Sequence, residues 1–303
     1  MVNKHEISNH LKEKLPGLKV CCDEPMRLHT SFKIGGNADV FVMPSSVGEI
    51  VSTVSLMKSC SVPVTVIGNG SNILVSDEGI EGVVVCIGKE FADVDCKENI
   101  ITASAGALLS RIANVALENS LAGFEFASGI PGSLGGAIVM NAGAYDGEMK
   151  DVVVSTTYMT SEGELKECVG DEHLFGYRKS CFKQGDIILS STLQLTKGSS
   201  EDIRAKMRDL NNRRKSKQPL EYPSAGSAFK RPEGYFAAKL IDDAGLKGYR
   251  VGDAAVSEKH CGFIVNLGNA TAADVRGVIA HVQQTVLRKY AVELEPEIRM
   301  LGR

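Results

Sequence analysis

A chain of 303 residues with 43% hydrophobic and 23% charged side chains carries enough apolar material for a packed core, which excludes the disordered and fibrous classes. Its 34 basic and 37 acidic residues leave a formal charge of −3, so no global field draws it to nucleic acid or to an anionic membrane. Glycine is over-used at 31 residues, about a tenth of the chain against a usual share of roughly 7%.

No apolar run approaches the ~20 residues that span a bilayer, and the polar stretch from Met1 to Leu15 does not read as a secretory signal. A cytoplasmic protein is expected. The eight cysteines form no Cys-x-x-Cys pair, so neither a zinc knuckle nor a thioredoxin motif is written, and reduced thiols are expected. The six histidines lack metal-ligand spacing, and no metal site is expected. His281 reads as structural.

In chain order, Ser46-x-x-Glu49 reads as a capping box opening a helix through Ile50, Val51 and Val54. Val62 to Ile67 reads as a strand that enters Gly68-Asn69-Gly70-Ser71-Asn72, and further strands are expected at Ile73 to Val75 and Val83 to Ile87. Leu108, Leu109, Ile112, Val115 and Ala116 have helical spacing that ends near Asn119. Strands surround an Asp/Glu/Gly-rich loop between Val152 and Leu195. Ser200 then caps a helix with Ile203, Met207 and Leu210 on one face, stopped by Pro219. Thr271 caps a last helix carrying Val275, Val278, Ile279, Val282 and Val286, with Arg288 and Lys289 at its negative end. The change of texture after Lys197-Gly198 places a domain boundary there, giving residues 1–198 and 199–303.

The loop Gly68 to Asn72 is built of small residues whose backbone N–H groups suit an anion, as a diphosphate requires. The Rossmann fingerprint fails, because Ile73 stands at the third glycine position and a strand follows rather than a helix. No Walker A motif occurs. The second loop, Ser128-Gly129-Ile130-Pro131-Gly132-Ser133-Leu134-Gly135-Gly136-Ala137, opens an apolar segment at which backbone can approach a pyrophosphate. Either loop alone reads equally as a tight reversal. Together with Thr30-Ser31-Phe32-Lys33-Ile34-Gly35-Gly36 they make three phosphate-suited loops without an acidic metal motif, which fits FAD better than ATP with Mg²⁺.

These motifs, followed by Asn141-Ala142-Gly143-Ala144-Tyr145, Tyr177-Arg178, Gly226-Ser227-Ala228-Phe229-Lys230 and Leu294-Glu295-Pro296-Glu297-Ile298-Arg299, closely resemble the UDP-N-acetylenolpyruvoylglucosamine reductases (the MurB family) over nearly the whole chain. Each motif is weak singly; their shared order is specific. The resemblance implies an α+β protein, with an FAD-binding fold of the vanillyl-alcohol oxidase type in two α/β subdomains and then a MurB-type C-terminal substrate domain. The short spacing from Tyr177 to Ser227 resembles the type II form, which lacks a substrate-covering tyrosine loop.

The implied reaction is NADPH-dependent, FAD-mediated reduction of UDP-N-acetylglucosamine enolpyruvate to UDP-N-acetylmuramate, a step of peptidoglycan precursor synthesis. Hydride addition to the terminal alkene carbon leaves negative charge on the neighbouring carbon and its carboxylate, so a fixed cation, a hydrogen-bond donor and a proton source are needed. By position in the family motifs, Arg178 polarises the carboxylate, Ser227 donates the proton and Glu297 assists Arg178. Alone, Arg178 reads as a surface arginine and Ser227 as a loop cap. If Val292 to Met300 is one strand, Val292, Leu294, Ile298 and Met300 share a face opposite Glu293, Glu295, Glu297 and Arg299. Glu295 is then an internal control for Glu297, whose donor role requires a protonated carboxyl, as partial burial promotes.

The resemblance assigns FAD contacts to Ser31, Lys33, Ile34, Gly35 and Gly36, to Gly68, Asn69, Gly70, Ser71 and Asn72, and to Ser128, Gly129, Pro131, Gly132, Ser133, Gly136 and Ala137. Substrate contacts fall to Tyr177, Lys217 and Lys230. Neither His nor Cys lies in the Gly68 or Ser128 loops, so FAD is expected to be noncovalent. The run Arg213-Arg214-Lys215-Ser216-Lys217 reads either as a solvated helix end or as a site for the UDP diphosphate. Arg231 and Asp253 depart from the family pattern, which has Asn and Gly there. A flavin-dependent oxidase of the same fold and a non-catalytic flavin- or UDP-binding module are the rival readings; the set of Arg178, Ser227 and Glu297 argues against both. No membrane, nucleic-acid or obligate protein partner is expected.

Overall fold

The computed structural model of the chain describes residues 3–303. These form two compact units, each with its own core and each assembled from separate stretches of chain.

The first unit runs to Cys22 and takes in Val40–Asn69 and Gly82–Arg214. Its helix Val47–Ser59 starts where the sequence signals it, with Ser46 Oγ accepting the Glu49 N–H at 3.2 Å. The reciprocal half of the box is shifted, since the Glu49 carboxylate takes the Ser45 N–H at 2.6 Å. Pro63 has no N–H to give a ladder, and the next strand begins after it, at Val64–Ile67, pairing in parallel with Ile80–Cys86. The sheet order is Lys19–Pro25, Asn37–Met43, Ile80–Cys86, Val64–Ile67. A second, antiparallel sheet runs Leu165–Val169, Val153–Met159, Ile187–Gln194, Ile100–Ser104, Val94–Lys97. Helix Leu109–Glu118 buries Leu109, Ile112, Ala113 and Ala116 in the shared core and ends at Asn119.

Helix Ser200–Lys217 buries Ile203 and Leu210, and it stops before Pro219. Its cap lies one residue earlier than the sequence suggests: Ser199 Oγ accepts the Asp202 N–H, and Ser200 Oγ instead meets Ser120 Oγ at 2.7 Å.

The second unit comprises Asp23–Asp39, Gly70–Glu81 and Lys215–Arg303. Strands Ser224–Ser227, Phe263–Asn266, Ala254–Val256 and Arg250–Val251 form an antiparallel sheet in that order. Helix Ala272–Tyr290 carries the Thr271–Asp274 capping box and buries all five valine and isoleucine positions named above. Asp77 adds a second cap, its carboxylate accepting the N–H groups of Ala272 and Ala273 at 2.7 and 3.0 Å.

Two features differ from the sequence reading. The units do not follow a single cut at residue 198, because Phe32, Ile34 and Leu74 are buried in the second core with Phe229, Ile241 and Val282. Burying a large apolar side chain stabilises by about 1.5–3 kcal/mol, enough for short front-half segments to belong to the later core. The expected strand from Val292 to Met300 shrinks to Arg299–Leu301, paired in parallel with Ile73–Val75. Ahead of it Pro296 makes a single-residue bridge to Phe229, and from Arg299 onward the partner changes to Ile73–Val75. Leu294 and Ile298 are buried as the alternation requires, but Met300 is 47% exposed. His281 stacks on Tyr249, with ring centroids 4.0 Å apart.

Candidate active site

Within the first unit the Gly68 turn meets the Ser128–Ala137 loop. Asn69 Nδ2 donates to the Pro131 carbonyl at 2.7 Å. A Cβ on Gly68 would lie 2.5 Å from Ser133 Oγ, so a side chain there would require the Ser133 hydroxyl to rotate away. Among the described residues, no protein acceptor takes the backbone N–H of Asn69, Gly129 or Gly132. A Cβ on Gly136 would meet nothing within 4 Å. Unspent donors beside open space, with no carboxylate in either loop, suit a diphosphate group bound without a metal. Ser128 is already committed, its hydroxyl donating to the Glu125 carbonyl at 2.8 Å. Ser133 stands at the start of helix Leu134–Met140, yet its side chain makes no cap bond.

Within the second unit the Thr30–Gly36 loop meets Gly70, with the Ser31 N–H donating to the Gly70 carbonyl at 3.1 Å. Gly70 has φ +63°, and a Cβ there would lie 1.9 Å from the His29 carbonyl oxygen. Gly36 is constrained by packing as well, since its Cβ would lie 2.2 Å from the Asp77 carbonyl oxygen. The Ile34 side chain is buried in the core, which leaves its backbone for any ligand.

The proton-donor candidate Ser227 ends the strand Ser224–Ser227 and is exposed. The register against Phe263–Asn266 shifts between Ser224 and Ser227, where Gly226 takes φ +78° with open space beside it. This bulge-like irregularity re-aims the following side chain. Glu297 is brought to the same place: its N–H donates to the Ala228 carbonyl at 2.8 Å. Asn72 Nδ2 fixes the Glu297 carbonyl at 3.1 Å, and Ser31 Oγ donates to the Ser224 carbonyl at 2.6 Å. Ser31, Asn72, Ser227 and Glu297, from four distant motifs, therefore form one cluster. Glu297 is half-buried, whereas Glu295 is exposed and pairs with Lys230 at 2.5 Å.

Arg178 belongs to the first unit. It has φ +54° in a turn closed by reciprocal Gly176–Lys179 backbone bonds, and its guanidinium lies 5.1 Å from the Tyr177 ring centroid. The sequence missed what holds this turn. Buried Asn141, in the left-handed conformation, donates Nδ2 to the Gly176 carbonyl at 3.1 Å and to Glu148 at 2.9 Å, and accepts the Lys150 N–H. The Glu148 carboxyl is held below its ordinary pKa by hydrogen bonds from Lys150 and Asn141, with the Lys150 and Arg178 charges adding to this against some desolvation. The signal lay in the Asn-Ala-Gly-Ala-Tyr motif, where a non-glycine residue at positive φ is most readily asparagine.

Family models match at residues 38–169, as an FAD binding domain, and at residues 218–301, as the C-terminal domain of UDP-N-acetylenolpyruvoylglucosamine reductase. The reductase of Agathobacter rectalis is 54% identical, over 96% of both chains. That of Caldanaerobacter subterraneus subsp. tengcongensis is 52% identical, over 96% of this chain and 97% of its own. The crystal structure of MurB from Thermus caldophilus superposes with a TM-score of 0.80 at 35% identity, covering 94% of this chain and 99% of that one. The chain belongs to the MurB family. It thus has the expected FAD-binding fold followed by a MurB-type domain, and its activity is FAD-dependent reduction of the enolpyruvyl ether of UDP-N-acetylglucosamine in peptidoglycan precursor synthesis.

The FAD-domain match contains the Gly68 and Ser128 loops but neither Ser31–Gly36 nor Arg178, and the C-terminal match contains Ser227, Lys230 and Glu297 but not Lys217. Both departures from the MurB pattern find local partners. The Arg231 guanidinium lies 4.4 Å from the Phe236 ring centroid. Asp253 accepts the Asn269 N–H at 3.0 Å and pairs with Arg250, and those contacts lower its pKa. Lys217 is exposed at the helix end, and the next residue, Gln218, has a buried Oε1 with no hydrogen-bond partner among the described residues. No helix among the described residues is long and apolar enough to cross a membrane.

Proposed function

We propose that this member of the MurB family draws its electrons from NADPH and that Arg178, Ser227 and Glu297 carry the reduction of the enolpyruvyl group. FAD, when bound, supplies a two-electron carrier that accepts hydride from NADPH and returns hydride to the terminal alkene carbon. The reading is supported most by the register that sets Glu297 on Ala228, one residue from Ser227. Arg178, permanently charged, polarises the substrate carboxylate, so that charge developing on the adjacent carbon is delocalised onto it. Glu297 in its protonated form donates to the same carboxylate. Ser227 then gives its hydroxyl proton to that carbon, completing addition of H⁻ and H⁺ across the double bond.

Noncovalent FAD is held by backbone donors of the Ser31–Gly36, Gly68–Asn72 and Ser128–Ala137 loops, and the UDP-sugar by residues of the 199–303 stretch together with Tyr177. Tyr177, Lys217 and Lys230 contact the substrate; for Lys230 this means exchanging the exposed Glu295 for the ligand. A cytoplasmic location agrees with a soluble nucleotide-sugar substrate. The test is spectroscopic: the purified protein is yellow, anaerobic NADPH bleaches it, and the enolpyruvyl nucleotide restores the colour. Bleaching with no return of colour on adding that nucleotide refutes the reading.

A further inference from the structure

The run Arg213–Lys217 holds two adjacent arginines in different electrostatic settings. Arg213 pairs with Asp209 at 2.8 Å on an exposed face. Arg214 lies against the Ser128–Ala137 loop of its own unit: a Cβ on Gly129 would be 3.3 Å from Arg214 Cδ, and Nη1 donates to the Gly129 carbonyl. Asn211 Oδ1, one helical turn earlier, would lie 2.6 Å from the same Cβ. The Tyr145 phenol acts on the Arg214 charge, and no carboxylate among the described residues pairs with it.

A guanidinium has five donors and is not deprotonated in proteins. Here desolvation pulls its pKa down, with the Tyr145 phenol opposing, as follows when a cation is withdrawn from water without a counter-ion. Removing a charge from water is unfavourable unless it is paired. The loop it touches offers unspent N–H groups at Gly129 and Gly132 and open space at Gly136. Donors and cation together define an anion site with no protein anion in it.

We propose that Arg214 binds the diphosphate of FAD at the Ser128–Ala137 loop. This rests on the reading above that the loop faces the cofactor's diphosphate, and it parts Arg214 from the solvated helix end suggested by its neighbours. The UDP diphosphate offers the same chemistry, so the measurement separates the two.

The experiment follows FAD release from the holoenzyme, by recovery of flavin fluorescence after ultrafiltration, over a series of NaCl concentrations and without substrate. Arg214→Gln keeps a donor for the Gly129 carbonyl but removes the charge. It is expected to speed release about tenfold at low salt and to flatten the salt dependence, because charge-assisted bonds to phosphate are the salt-sensitive part. Arg214→Lys is expected to stay within about threefold of wild type and to keep the salt slope. Gly136→Ala places a methyl group in the open space and is expected to speed release irrespective of salt.

Wild-type release and slope in R214Q overturn the proposal, as does an R214K that behaves like R214Q. An R214Q that alters only the KM for the UDP-sugar overturns it in favour of the substrate's diphosphate. If Gly136→Ala also releases FAD at the wild-type rate, the placement of the diphosphate at this loop fails too. Should R214Q not fold, a salt-independent wild-type release overturns the proposal without it.

Discussion

The glycine-rich loops of the two units look alike in the sequence and use glycine for different ends. In the second unit, Gly36, Gly70 and Gly79 sit where a Cβ would lie 2.2, 1.9 and 1.9 Å from a backbone oxygen, so these glycines let the chain pack on itself. In the first unit, Gly136 faces open space and Gly68 lies against a rotatable hydroxyl, that of Ser133, rather than against backbone. The chemistry divides in parallel. In the reading proposed above, the first unit would contribute backbone N–H groups with Arg178 and Arg214, and the second the Ser227 hydroxyl and the Glu297 carboxyl. A compositional surplus of one residue type therefore carries at least two separate physical demands.

The sharpest way to break this division is Ser227→Ala. If the second unit's contribution is side-chain chemistry, flavin reduction by NADPH stays near wild type while the substrate half-reaction falls by about 10²–10⁴-fold, the usual weight of a positioned proton donor. Stopped-flow absorbance of each half-reaction reads the two rates separately. Equal losses in both would assign Ser227 a structural role.

A smaller effect separates the two glutamates. Glu297→Gln is expected to slow the substrate half-reaction about tenfold or more, by removing an acid beside the developing charge. Glu295→Gln is expected to stay within about twofold, because an exposed pair such as Lys230–Glu295 contributes roughly 0–1 kcal/mol. The reverse ranking would show that Glu295 is the functional carboxyl.

That pair also marks how far the sequence could be read. Period-two alternation rightly separated buried Leu294 and Ile298 from the glutamates, yet it put Met300 on the buried face, where the structure has it 47% exposed. Alternation describes a continuous strand; here it holds through Pro296, which bridges to Phe229, and fails after Ile298, where the chain changes partner to Ile73–Val75. Helix starts at Ser46 and Thr271 were legible because capping is local, within three residues. The assembly of Phe32 and Leu74 into the later core, and of Asn141 with Gly176, was not, because both depend on contacts far apart in the chain. Local chemistry is written in short spacings; which loop meets which is decided by burial.

Glycine itself supplies the next test. Gly79→Ala forces a residue with φ +81° to carry a side chain against the Asn37 carbonyl, at a cost of about 1–2 kcal/mol for the left-handed backbone alone, and should lower the thermal unfolding midpoint by several degrees. Gly136→Ala lies in a helix with room for the methyl group, so it is expected to be neutral or stabilising by up to about 1 kcal/mol. Differential scanning fluorimetry of the FAD-free proteins compares them. A destabilised Gly136→Ala would mean that this glycine too serves packing.

The smallest expected difference lies between two residues that both stand at helix starts. Thr271 Oγ1 accepts the Asp274 N–H at 3.0 Å, so Thr271→Ala should destabilise by ~1 kcal/mol and leave FAD release unchanged. Ser133 makes no such bond while standing beside Gly68, so Ser133→Ala should shift the unfolding midpoint less than Thr271→Ala does and should speed FAD release. The two measurements should therefore rank the variants in opposite orders. A common order would mean that the Ser133 hydroxyl serves the fold as Thr271 does, and the first unit's claim to hold the cofactor would then rest on its backbone and on Arg214 alone.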